Sequence, residues 1–196
     1  MKLCTIPWTI LLNVLQVTVP GAFTLLGLWL KARMHQRAKP DLNRTITRNE
    51  KVKPILEQIL FELQATRCCE WAVSNGDITL SGYHLQKLSI LTEAVKDGVE
   101  PIQPLFQLIP ISQFNRTIEG LRKSPYVVSN ESIVQDDLAA LNLNYDIVTT
   151  VEVRIHGEFN KWTGILRVAW DAEREVTQQE IAFLKLKAAQ IGAIKN

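Results

Sequence analysis

Apolar positions along the chain recur with two spacings, and the change from one to the other divides it into elements. Val52, Ile55, Leu56, Ile59, Leu60 and Leu63 fall at i, i+3, i+4, i+7, i+8 and i+11, the stripe of an amphipathic helix. Thr47 and Glu50 have the spacing of a capping box and predict its start, while Pro54 predicts a kink or a later beginning. The rhythm then becomes twofold. Cys69, Trp71 and Val73 share one face of a strand over residues 67–77, Asn75-Gly76 reads as a two-residue turn, and residues 83–93 supply the returning strand.

Phe114, Ile118 and Leu121 are spaced for a helix that Ser112 caps, and residues 126–128 restart strand character. Val134, Leu138 and Leu141 predict a short helix. Next comes a hairpin over residues 148–170. Val151, Val153 and Ile155 face one way and Glu152, Arg154 and His156 the other, and Leu166, Val168 and Trp170 repeat the apolar face on the return. Thr177 and Glu180 form a second capping box, followed by the stripe Ile181, Leu184, Ala188 and Ile191.

The order helix, two strands, helix, strand, short helix, two strands, helix gives an α+β class, an antiparallel sheet flanked by helices. Over roughly residues 48–194 this order resembles a GAF domain, a relative of PAS sensor modules. The segment WTGILRVAW at residues 162–170, followed by VTQQEIAFLKLKAAQIGAI at 176–194, is similar to that family's ending, in which a G-x-L-x-V strand precedes a T-x-x-E helix closing in A-x-Q-I-x-x-A-I. The resemblance implies helices on both sides of the sheet, with the first and last side by side and often forming a subunit contact. It also implies a second face that often encloses a small-molecule pocket. Neither the cyclic-nucleotide nor the bilin signature of the family is recognisable, so no ligand residue is carried over.

The amino-terminal stretch changes the picture. Residues 6–30 carry no charge and exceed the about 20 apolar residues that span a bilayer, with Trp8 and Trp29 at the two ends as interfacial anchors. A cleaved signal peptide, with Gly21 and Ala22 near its end, fits less well because the apolar run continues beyond them. Lys31, Arg33, Arg37 and Lys39 follow the span, so the positive-inside bias predicts a single-pass protein with its amino terminus outside and its C-terminal domain in the cytoplasm. Those charges also suit anionic membrane lipid. Within the span, Asn13 and Gln16 are candidates for hydrogen bonds between helices. The expected organisation is a short segment at 1–5, a transmembrane helix at 6–30, a basic linker at 31–47 and a GAF-like domain at 48–196.

The 196 residues carry a formal net charge of only +2, so no basic field points to nucleic acid. Cys4, Cys68 and Cys69 lack the spacing of a zinc site, and because adjacent strand residues face opposite ways, Cys68 and Cys69 do not serve one metal together with His84 and His156. Phosphate-loop, nucleophile-elbow and metal-helix motifs are absent, and no catalytic residue or cofactor is assigned. Trp71, Phe106, Phe114, Tyr126 and Tyr145 are candidates for a pocket lining, against the alternative that they fill the core. The expected function is a nonenzymatic, membrane-anchored sensory module, dimeric, acting on a small molecule or a separate output protein. The alternatives are a membrane-perturbing effector and a scaffold without ligand.

Overall fold

The computed structural model describes residues 42–78, 84–130, 145–157 and 161–194. The apolar segment at 6–30 with Asn13 and Gln16, the basic stretch after it, and the helix expected around Val134–Leu141 all lie outside the described residues. Among those described, no helix is long and apolar enough to cross a membrane.

Helix α1 runs from Leu42 to Glu62, strand β1 from Arg67 to Ile78 and β2 from His84 to Val95. A short strand β3 (Ile109–Pro110) leads through a 3-10 turn into α2 (Asn115–Lys123) and β4 (Tyr126–Asn130). Strands β5 (Thr149–His156) and β6 (Trp162–Trp170) and helix α3 (Gln178–Ile194) complete the order. The six strands form one antiparallel sheet in the order β3-β2-β1-β6-β5-β4.

The hairpin register pairs Val151 with Val168 and Val153 with Leu166, so all four fall on one face. Helices α1 and α3 cover that face. Val52, Leu56 and Ile59 of α1, Leu63 just after it, and Ile181, Leu184, Ala188 and Ile191 of α3 pack with Val151, Val153, Ile155, Leu166 and Val168 in one cluster. Each fully buried aliphatic side chain here contributes roughly 1.5–3 kcal/mol relative to exposure. Lys187 of α3 reaches across to Gln58 of α1, Nζ to Oε1 at 2.6 Å. The capping box of α3 forms as its spacing requires: Glu180 N–H donates to Thr177 Oγ1 at 3.2 Å and Thr177 N–H to Glu180 Oε2 at 2.8 Å.

Three local expectations are corrected. Helix α1 begins at Leu42, ahead of Thr47, so Thr47 and Glu50 sit inside a helix that continues through Pro54. Pro54 lacks an N–H, yet the buried stripe on either side holds the helix together across it. Asn75-Gly76 is no turn: β1 extends to Ile78, with Asn75 opposite Gln86 and a register irregularity between Asn75 and Ile78. Ser112 lies within the 3-10 turn, and α2 follows Phe114 without a side-chain cap.

Candidate functional site

The sheet face turned away from α1 and α3 carries a second core built from Cys69, Trp71, Leu88, Ile90, Phe106, Phe114, Ile118, Leu121, Ile147, Ile165 and Ala169. Aromatic side chains gather there because three different stretches lean on the same strand. Trp71 projects from β1. Phe106 comes from the loop after β2, and Phe114 from the turn before α2. The Trp71 ring meets Phe114 at 5.1 Å and Phe106 at 5.7 Å between centroids, both edge-on, and Phe106 meets Tyr145 edge-on at 6.0 Å. Edge-to-face pairs of this kind contribute about 0.5–1.5 kcal/mol beyond their buried area.

Four of the aromatic candidates therefore share one site. Tyr126 does not join them. It packs with the α1–α3 cluster on the opposite face, and Lys185 Nζ lies 4.6 Å from its ring centroid. Strand alternation explains the separation, since Val127, not Tyr126, packs against the second core. Cys68 and Cys69 divide in the same way, one in each cluster, and both are buried. Burial, followed by the neighbouring Cys69, pushes the Cys68 thiol up. Burial also raises Cys69, with Glu93 adding to it and Arg67 and Arg167 opposing.

The loop after β2 is fastened onto the sheet by polar contacts that apolar periodicity does not announce. Glu93 pairs with Arg67 and accepts the Gln103 N–H at 2.8 Å and the Ile102 N–H at 3.3 Å. Gln103 Nε2 donates to Leu91 O at 2.7 Å, and Gln107 Nε2 to Ile90 O at 2.9 Å. Leu108, with φ 55°, gives its N–H to Ser89 Oγ at 2.8 Å. These bonds hold Ile102 and Phe106 down over Leu88 and Ile90.

The same face carries a charged row. Register places Glu93, Cys69, Arg167 and Glu152 side by side on β2, β1, β6 and β5. Arg167 Nε lies 3.2 Å from Glu152 Oε1, and both residues are buried. On the other face, Arg48 of α1 pairs with the fully buried Glu70. Alternation alone marks Glu152 and Arg154 only as the polar side of a hairpin. A hairpin register that sets Val153 opposite Leu166 also sets Glu152 opposite Arg167, and that opposite-charge pairing was the available signal.

Two surface grooves measure about 310 and 250 Å³: one between Lys53, Glu57 and Gln103, away from the rings, and the other against Tyr145 at the margin of the ring cluster, beside Asp146 and Asp171. No cluster of His, Cys, Asp and Glu suited to a metal occurs among the described residues.

No family model matches the chain, and no curated protein matches it. Solved structures do. The GAF domain of PixJ from Thermosynechococcus elongatus, in its blue-light absorbing form, superposes with a TM-score of 0.60 at 14% identity, over 79% of this chain and 88% of that one. The GAF domain region of a Geobacter sulfurreducens protein gives 0.55 at 15% identity, over 80% and 98%. A phycocyanobilin-bound GAF domain from a cyanobacterial phytochrome gives 0.55 at 12% identity, over 83% and 87%. The fold is that of GAF domains.

Proposed function

We propose that the chain is a nonenzymatic regulatory module, a GAF-fold domain that holds a small molecule over the Trp71 face and is tethered to a membrane through residues 6–30. The observation that carries this reading is the unequal covering of the two sheet faces. One is closed by two long helices with an aliphatic interior. The other is closed by a loop, a 3-10 turn and a short helix over Trp71, Phe106, Phe114 and Tyr145, where aromatic surface comes with buried polar groups. Ligand sites are largely apolar with a few placed polar groups, and this face has that composition. One of the solved relatives holds phycocyanobilin, which supports a small molecule on this fold without naming the one that belongs here.

The test is native mass spectrometry of the full chain released from uncharged detergent. Retention of a small molecule by the wild type, reduced in Phe114→Leu and Tyr145→Phe at unchanged circular dichroism, is expected. A wild type that is empty, and whose melting is indifferent to a metabolite extract, overturns the reading.

The tether and the cytoplasmic orientation rest on the uncharged segment and on the basic residues after it. A reporter fused after Asn196 that works only outside the cytoplasm should stay silent. Dimerisation through the outer surfaces of α1 and α3 belongs to the same proposal, supported by the exposure of Phe61 at 73% and Leu186 at 58%. Phe61→Glu should lower the sedimenting mass. A wild type that sediments as a monomer rejects that contact.

A further inference from the structure

Four arginines of this domain are answered by a carboxylate: Arg48 by Glu70, Arg67 by Glu93, Arg167 by Glu152 and Arg174 by Glu180. Arg154 has no such partner among the described residues. It is half-buried, and its Nε is buried without a hydrogen bond. A donor held out of water without an acceptor forfeits its hydration, so what surrounds Arg154 decides what it can meet. It lines a cavity of about 210 Å³ at the edge of the sheet, together with Pro125, Val153, His156, Lys185 and Ala189.

The cavity exists because Pro125 stops a strand. Pro125 accepts the Arg154 N–H at 3.1 Å but has no N–H to return, and the pairing of β4 with β5 starts only at Tyr126 and Val153. Strand β5 runs on to His156 without that neighbour. Lys185 and Ala189 of α3 form the opposite wall, and Gly192, three residues further on, brings the helix down onto the His156 carbonyl. Because the cavity lies at the sheet's edge, Val153 and Arg154 both line it, although alternation sets them on opposite faces.

The charge around it has one sign. Arg154, His156 and Lys185 are the ionisable residues of the lining, and residues 120–130, 153–157 and 181–194, which supply all of the lining, contain no Asp or Glu. Lys185 Nζ stands 4.6 Å from the centroid of the Tyr126 ring, a contact that holds a cation in place without neutralising it.

We propose that this cavity is a site for a phosphate monoester, with the Arg154 guanidinium and the Lys185 ammonium as its charged contacts. A dianion answers two cations at once, and the planar guanidinium fork matches two phosphate oxygens, so a phosphate monoester fits better than a single carboxylate. The site lies against α3, apart from the Trp71 face, and is independent of the small-molecule reading there. A soluble metabolite and a lipid headgroup both carry this group, and the experiment separates them.

Melting of the full chain in uncharged detergent is followed with glycerol 3-phosphate, glycerate and glycerol, each at ~10 mM and at equal ionic strength set with sodium chloride, because binding raises the melting temperature by mass action. A second arm replaces the soluble probes by phosphatidate doped into the micelles, with phosphatidylcholine as its control. The phosphate is expected to stabilise the wild type by a few degrees, glycerate less and glycerol not at all. Lys185→Gln and Arg154→Gln should each weaken the phosphate roughly tenfold, the loss of one charge-assisted contact. Lys185 lies on the exposed side of α3, so its variant keeps the test decisive if Arg154→Gln folds poorly. Lys51→Gln, an exposed position on α1 outside the cavity, should change nothing.

A response in either arm that falls in Lys185→Gln supports the site, and the arm that responds names the source of the phosphate. Equal stabilisation by glycerate overturns the phosphate class. The site itself is overturned if neither arm responds, if Lys185→Gln leaves the response unchanged, or if Lys51→Gln lowers it as much, which would assign it to diffuse surface charge.

Discussion

Gly192 of α3 shows how narrowly one residue controls the approach of a helix to the sheet. A Cβ added there would overlap the His156 carbonyl oxygen, a backbone atom that has no rotamer to move away. Gly192→Ala should therefore cost about 1–3 kcal/mol, the usual range for overpacking, and lower the melting temperature by several degrees. A melt equal to the wild type would mean that α3 slides without cost. Glu180 acts through charge. Partial burial alone would raise its pKa, but the Thr177 N–H and hydroxyl and the Arg174 guanidinium outweigh this and hold it below its ordinary value of 4.5. Because the folded value lies below the unfolded one, the carboxylate's contribution is fully present above about 4.5 and is lost as pH falls through the folded value. The stability difference between wild type and Glu180→Gln should be largest at neutral pH and shrink on acidification below about 4. A difference that does not change with pH would assign the effect to shape. Arg174 also lies 4.6 Å from the centroid of the Trp170 ring, so its own replacement would mix two contacts and is the poorer test.

At the level of elements, the β5–β6 hairpin carries the sheet's central packing against α1 and α3. Val153 and Leu166 are directly paired and both buried in the same cluster. Truncation of either to Ala should destabilise the domain by roughly 1–5 kcal/mol, with Leu166→Ala the larger because it leaves more space. Unchanged urea midpoints would contradict the packing. The hairpin and α3 were legible in the sequence because twofold and 3.6-fold repeats and a capping box each point to a single local structure. Asn75-Gly76 was not, since a good turn dipeptide says nothing about how long its neighbours stay paired, and here the pairing outlasts it. Neither was the burial of Glu152 and Arg167. Alternation tells that two faces differ; it does not tell that both are covered. The gathering of Trp71, Phe106, Phe114 and Tyr145 was legible only as residue type, because their meeting depends on a loop fastened by Glu93, and Tyr126 shares their chemistry but not their face.

For the whole molecule, the two interiors are separate bodies of packing on opposite sides of one sheet, and β1 contributes to both through consecutive residues. The adjacent thiols Cys68 and Cys69 are consequently two clocks built into one dipeptide. Each is held in its unreactive protonated form by burial, so alkylation proceeds only when the layer above it parts from the sheet. In a Cys4→Ser background, the relative labelling of the two positions under native conditions ranks the layers by how often they open. Cys69, beneath a loop and a helix of nine residues, should label sooner than Cys68, beneath helices of 21 and 17. Equal rates at every denaturant concentration would mean that the domain has no opening smaller than complete unfolding. A faster Cys69 would locate the gate for exchange on the aromatic side, with α1 and α3 left in place while it operates.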